Sequence, residues 1–147
     1  MPASSSGAST PPAPDAVAAN DDLPPSTPIV FLAVRFGLEV FGLVGLGYLG
    51  WWLGDGGWLG SVLAALVVVA GGAAWGVFRV RHDPPGKTDH PVIVPGKVRL
   101  AIELGFFAIA AIGLWFGASR AASETLMTAV VVLYGITWDR QRWLWRQ

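Results

Sequence analysis

Long apolar runs separated by short polar segments dominate the chain. Four runs are long enough to cross a bilayer core, which takes about 20 apolar residues of helix. They are 29–53, 58–78, 98–116 and 122–138, and the fourth is the shortest. Of the eleven prolines, seven lie in residues 1–28 and four in residues 84–95, so every run is free of proline. Because proline breaks the hydrogen bonding of a helix, the pattern predicts an all-α, polytopic membrane protein with four transmembrane helices.

The first 28 residues have a different composition. They are rich in Ala, Ser and Pro, and their only charged side chains are Asp15, Asp21 and Asp22. Such a segment cannot bury enough apolar surface to become ordered. It also lacks the basic region that precedes the apolar core of a secretory signal peptide. We therefore expect residues 1–28 to be a disordered cytoplasmic tail that is retained.

Basic residues are distributed unevenly between the two sides of the predicted membrane. They gather in the loop 79–97 and in the C-terminal segment 139–147, whereas Arg120 alone lies between the third and fourth spans. Cytoplasmic loops carry the excess of Lys and Arg. Both termini and the loop 79–97 are therefore predicted to be cytoplasmic, in a multi-pass protein of the cytoplasmic (inner) membrane. The eight tryptophans are expected to anchor the spans at the two interfaces.

A short pattern of charged residues occurs twice. Val34-Arg35-Phe36-Gly37-Leu38-Glu39 is followed 64 residues later by Val98-Arg99-Leu100-Ala101-Ile102-Glu103, and each copy opens a predicted span. More weakly, Trp75-Gly76-Val77 resembles Tyr134-Gly135-Ile136. The short connection 54–57 makes the first two spans antiparallel neighbours. These features predict two antiparallel hairpins in parallel pseudo-repeat, related by an axis along the membrane normal.

The repeated charges are the candidate functional residues, because ionisable groups in a membrane span are costly and mark a structural or functional need. Three arrangements are open. The first is a buried lock between the copies, with the pairs Arg35–Glu103 and Arg99–Glu39. The second is a proton or cation site on the two carboxylates, with the arginines binding an anion. The third is a set of independent pairs whose arginines extend to the headgroups.

The polar segments add few further candidates. Asp139 and Arg140 begin the basic, aromatic segment 139–147, which is expected to lie along the inner membrane surface, and they are possible further members of the charge network. The middle loop carries His82, Asp83, Asp89 and His90 without the spacing of a metal site. An ordered cap over the helix ends is favoured there, and no metal is predicted.

Other chemistry is excluded by what the sequence lacks. The chain has no cysteine, which rules out disulfides and thiolate chemistry. The GxGxxG match at 45–50 lies within an apolar run, whereas a dinucleotide site needs a strand before it and a helix opening after it. There is no nucleophile elbow, P-loop or HExxH motif. We therefore predict no enzymatic activity, no cofactor and no nucleic-acid partner.

Several short motifs together resemble one family. They are Arg35-Phe36 with Leu38-Glu39, Trp75-Gly76 with Phe78, Asp83-Pro84, Pro91-Val92, Val94-Pro95-Gly96, Arg99-Leu100 with Glu103, Asp139-Arg140 and Trp143-Leu144. In this order and spacing the chain resembles the YrdB-like family of small bacterial and archaeal membrane proteins, from about Arg35 to Leu144. The resemblance implies a four-helix membrane fold and supplies no activity.

Two functions from different classes follow from these observations. The first is a structural or accessory membrane protein whose partners are the lipid bilayer and, at the cytoplasmic face, an anionic lipid or a membrane protein. The alternative is a small proton- or cation-coupled transporter or channel that uses Glu39 and Glu103. Glycine pairs at four-residue spacing, such as Gly50 with Gly54, indicate close helix packing, either within the chain or between copies in a homo-oligomer.

Overall fold

The structure, a computed structural model, describes residues 28–80 and 92–146. It contains five helices in these residues: α1 Ile29–Leu53, α2 Gly57–Val77, α3 Gly96–Gly117, α4 Arg120–Ile136 and α5 Trp138–Arg146. Two short strands, β1 Phe78–Arg79 and β2 Val92–Ile93, pair in parallel. The prediction of a helical fold is confirmed, apart from this two-residue ladder. The predicted tail, except Pro28, and the four loop residues His82, Asp83, Asp89 and His90 lie outside the described residues.

Three of the described helices are long and apolar enough to cross a membrane. They are α1, α2 and α3, whose most apolar windows have mean hydropathies of 2.1, 1.9 and 1.9. Helix α4 has 17 residues and meets the same standard only together with α5, which makes four candidate spans at most. The first four helices begin and end within two residues of the predicted spans. That they cross a membrane stays a prediction.

The fourth predicted span is interrupted in the structure. The sequence predicts a helix that continues to Trp138, but α4 ends at Ile136 and α5 leaves at an angle of 75°. Thr137 lies at the bend, and its hydroxyl donates to the carbonyl of Leu133 at 2.7 Å. A threonine hydroxyl bonded to the preceding turn favours bending of a helix. The C-terminal segment therefore forms a separate helix.

Helices α1 and α3 form the centre of the bundle. Helix α1 packs against α2 and α3, α4 packs mainly against α3, and α5 also contacts α3. The buried core draws on α1, α3 and α4: Leu38, Leu46, Phe106, Phe107, Ala110, Ala111, Leu114, Leu126, Val130 and Leu133. In α2 only Gly60 is buried, so this helix lies at the edge. Its exposed apolar side chains, among them Leu66 and Val69, are compatible with contact with lipid or with another protein.

Glycines set the helix spacing away from the charged end of the bundle. A side chain at Gly45 would collide with the backbone of Ala110, and one at Gly50 with the backbone of Ala64. One at Gly113 would collide with the carbonyl of Gly45. By contrast, Gly76 has nothing within 4 Å of where a side chain would lie. Close packing therefore holds α1 against α3 and the first half of α2. A groove of about 410 Å³ separates the second half of α2 from α3.

Candidate functional site

The candidate site is built around one carboxylate on α3. The side chain of Glu103 is fully buried. It lies on the same face of α3 as Phe107 and Ala110, which belong to the core, because residues three and four apart share one side of a helix. Arg99 lies one turn before it on that face. Because Arg99 and Glu103 share the core-facing side of α3, both charged side chains point into the bundle.

Four side chains surround the carboxylate of Glu103. Arg35 Nη2 donates to Oε1 at 2.7 Å, and the hydroxyl of Tyr134 donates to Oε2 at 2.9 Å. Arg140 donates to both oxygens, at 3.2 Å to Oε1 and 3.3 Å to Oε2. Arg99 Nε lies 3.3 Å from Oε1, which is an ion-pair distance without hydrogen-bond geometry. These five residues, with Glu39, are called the Glu103 cluster below, and they join α1, α3, α4 and α5.

The second carboxylate of the cluster has a different environment. Glu39 Oε1 accepts one hydrogen bond, from Arg35 Nε at 3.1 Å, and its side chain is 23% exposed. It lines a groove of about 180 Å³ together with apolar side chains of α1, α2 and α3, among them Phe36, Trp75 and Phe106. The two copies of the sequence pattern are therefore unequal, since Glu103 is enclosed and Glu39 faces a groove.

Arg99 obtains its remaining partners from the end of α2. Its Nη1 donates to the carbonyls of Trp75 at 2.8 Å and Phe78 at 2.7 Å, and its guanidinium lies 4.7 Å from the centre of the Trp75 ring. The carbonyls at a helix C-terminus carry a partial negative charge. The cluster holds three arginines and only two carboxylates. The C-terminus of α2 and the indole of Trp75 therefore stabilise the positive charge of Arg99 that the carboxylates do not balance.

This arrangement differs from the symmetric lock considered above. The symmetric lock consists of two ion pairs, Arg35–Glu103 and Arg99–Glu39. The first is present, but Arg99 and Glu39 form no ion pair among the described residues. Both arginines instead converge on Glu103. The cause lies in the tertiary structure. The C-terminus of α2 provides hydrogen-bond acceptors beside Arg99, and Glu39 pairs with Arg35 instead.

A row of aromatic rings connects the cluster to the apolar core. Trp75 packs on Phe106 at 5.0 Å between ring centres, Phe106 on Phe107 at 5.2 Å, and Phe107 on Tyr134 at 6.5 Å. Arg35 also lies 5.6 Å from the centre of the Trp75 ring. Such packing lowers the local dielectric constant, which strengthens the paired charges and raises the cost of an unpaired one.

The predicted residues divide into those that meet and one that does not. Arg140 joins the repeated charges in the cluster, whereas Asp139 is exposed and forms no ion pair within residues 28–80 and 92–146. Two cluster contacts, Tyr134 and Trp75, were not among the predicted site residues. The sequence feature that could have pointed to them is the weak resemblance of Trp75-Gly76-Val77 to Tyr134-Gly135-Ile136. Trp75 packs on Phe106 and Trp143 is buried, so both have packing roles in addition to the interfacial role that the sequence predicts.

The geometry limits the chemistry available to Glu103. A carboxylate offers about four lone-pair sites, and here three arginines and a tyrosine surround them. A cation would have to displace one of these partners. Within the described residues, no group of three or more His, Asp or Glu side chains is placed to hold a metal ion.

The fold and the cluster define a class: a small helical protein with apolar helices of membrane-spanning length and a buried ionic cluster. The chain belongs to the family described as Protein of unknown function (DUF2568), which matches residues 33–134. It is 34% identical over 116 residues to Uncharacterized protein YrdB of Bacillus subtilis (strain 168), across 79% of this chain and 94% of that protein. The resemblance to a YrdB-like family is therefore confirmed. No solved structure matches the chain.

Proposed function

We propose that this chain is a multi-pass protein of the cytoplasmic membrane with a structural or accessory role and no enzymatic activity. Its four spans form two antiparallel hairpins, with both termini and the segment between α2 and α3 on the cytoplasmic side. Three apolar helices, and a fourth that ends in a bend, support the membrane location. The concentration of basic residues in 79–97 and 139–147 supports the orientation.

One observation carries the structural role: the fully buried Glu103 carboxylate is surrounded by side chains from three other helices. A buried ionic group with all partners present contributes little net stability, but the loss of one partner costs about 3–5 kcal/mol. The Glu103 cluster therefore acts as a lock that requires α1, α3, α4 and α5 to be docked together. Through Arg99 the lock extends to the end of α2.

The lock has a consequence for the cytoplasmic face. It fixes α5 across the end of the bundle through Arg140, and it lies beside the β1–β2 ladder that follows α2. An accessory protein needs such a fixed surface for the partner that it supports, because ordering a mobile surface on binding lowers affinity. We therefore place the partner-binding surface at this end of the molecule.

The rival function is proton or cation transport through Glu39 and Glu103. Intramembrane charges often mark ion pathways, and Glu39 lines a groove. The enclosed state of Glu103 argues against it, since a transport site must exchange its ligand with both sides. The purified protein in liposomes distinguishes the two functions by its flux under a pH gradient.

The flux experiment has a matched control. Glu124 pairs with Arg120 at 2.9 Å on the surface, where the two side chains are 60% and 72% exposed. We expect no flux above that of empty liposomes for the wild type, Glu39→Gln or Glu124→Gln. A gradient-dependent flux that Glu39→Gln abolishes and Glu124→Gln leaves intact would establish transport instead.

A further inference from the structure

The outer face of α5 is a surface that the Glu103 cluster does not use. Helix α5 turns by 75° from α4, so it runs across the end of the bundle. Its inner face holds Arg140, which contacts Glu103, and the buried side chains Gln141, Trp143 and Leu144. Leu144 and Trp143 pack with Val80. The opposite face of α5 therefore points away from the bundle, on a helix that its inner face holds in place.

Cations and indoles alternate on this outward face. Trp138, Arg142, Trp145 and Arg146 are exposed, and the Nζ of Lys97, from the start of α3, lies 4.9 Å from the centre of the Trp145 ring. Indoles favour the depth of the lipid headgroups, and Lys and Arg attract anionic phosphate at that depth. We call Lys97, Arg142, Trp145 and Arg146 the α5 basic face.

The opposite end of the bundle provides an internal comparison. There Arg120 also stacks on an indole, 4.7 Å from the centre of Trp115, but it is paired with Glu124. Lys97, Arg142 and Arg146 form no ion pair among the described residues, and Asp139 is the one acidic residue of α5. Cation–π stacking thus occurs at both ends, whereas uncompensated positive charge is found on the α5 basic face.

From this charge pattern we infer that the α5 basic face binds the headgroups of anionic phospholipids in the cytoplasmic leaflet. The inference rests on the proposed membrane location and orientation. Exposed cations without carboxylate partners are complementary to phosphate, and the bend in the chain holds them parallel to the headgroup plane. Trp145, on the same face, has the indole that favours the depth of these headgroups, so the cations and the ring act at one level.

The test measures lipid preference on the full-length protein. The protein is reconstituted in phosphatidylcholine vesicles that contain a trace of spin-labelled phosphatidylglycerol or spin-labelled phosphatidylcholine, and the motionally restricted fraction of each label is compared. We expect the wild type to prefer phosphatidylglycerol. Each basic residue removed should reduce that preference by up to roughly fivefold at low ionic strength.

Two variants and one salt step make the outcome specific. The triple variant Lys97→Gln, Arg142→Gln, Arg146→Gln should lose the preference, and Arg120→Gln should keep it. High salt should remove it from the wild type without any mutation, because the Debye length falls to about 3 Å at 1 M. No preference in the wild type, or an equal preference in the triple variant, would overturn the inference. If the protein inserts correctly and gives either of these results, the proposed function still stands. Failure of the wild type to insert in any vesicle would contradict both the inference and the proposed function.

Discussion

Arg140 and Glu103 meet at two points, with Nη2 3.2 Å from Oε1 and Nη1 3.3 Å from Oε2. A helix that begins beyond the bend at Thr137 is thereby tied to a buried carboxylate at the charged end of the bundle. Paired arginine–carboxylate contacts restrict orientation as well as adding energy. This contact accounts for the direction in which α5 crosses the end of α3.

Removal of that contact should release α5 without unfolding the bundle. We expect Arg140→Gln to raise the amide hydrogen exchange of residues 138–146 strongly, because local opening follows the loss of the interactions that dock a segment. Exchange in α3 should change less. Arg142→Gln is the control, since Arg142 is exposed and outside the cluster. Unchanged protection of α5 in Arg140→Gln would contradict its role as the tether.

The hydroxyl of Tyr134 should contribute to stability independently of its ring. Tyr134→Phe keeps the ring that packs on Phe107 and removes the donor to Glu103 Oε2. A hydrogen bond to a charged group contributes about 1.5–3 kcal/mol, so thermal unfolding in detergent should occur at a lower temperature. Tyr48→Phe, at an exposed position, should leave the unfolding temperature unchanged. Equal effects of the two substitutions would mean that the hydroxyl of Tyr134 is not a stabilising donor.

The glycine positions should separate into two classes. Gly113→Ala places a methyl group against the carbonyl of Gly45 and against Leu49, and overpacking of this kind costs about 1–3 kcal/mol. Gly76→Ala meets nothing within 4 Å and favours the helix by up to about 1 kcal/mol. The free energy of unfolding should therefore fall for the first variant and hold or rise for the second. The opposite order would contradict the close approach of α1 and α3.

The absence of cysteine makes the orientation directly measurable. Single cysteines are introduced by Ser5→Cys in the tail, Thr88→Cys in the middle loop and Ala118→Cys between α3 and α4. A membrane-impermeant thiol reagent applied to intact cells should label the third variant alone, and lysis should expose the other two. Labelling of the Thr88→Cys variant in intact cells would reverse the proposed topology.

The helices could be predicted from the sequence, and the details of the cluster could not. Apolar run length and the position of proline are local properties, and they placed the ends of α1 to α4 closely. The pairing of Arg35 with Glu103 was one of the open arrangements. The choice of Arg99 between Glu39 and Glu103 depended on where α2 ends, because the carbonyls of Trp75 and Phe78 complete its partners.

The bend before α5 has a similar explanation. Thr137 and the polar residues after it are compatible with a fraying span or with a turn, and a hydropathy pattern does not distinguish them. The attachment of Arg140 to a carboxylate 37 residues earlier selects the turned conformation. The contributions of Tyr134 and Trp75 were missed for a related reason, because aromatic residues near the end of a span are usually interfacial anchors.

The double-mutant cycle of Arg35→Gln and Glu103→Gln, measured as unfolding free energies in detergent, tests the lock most directly. Each single substitution should cost about 3–5 kcal/mol, since it leaves a buried charge without its partner. The double variant should be less destabilised than the sum, by about 0.5–3 kcal/mol of coupling. Glu39→Gln should cost less than Glu103→Gln, because Glu39 is partly exposed. Additive losses, or a Glu103→Gln protein as stable as the wild type, would contradict the structural lock.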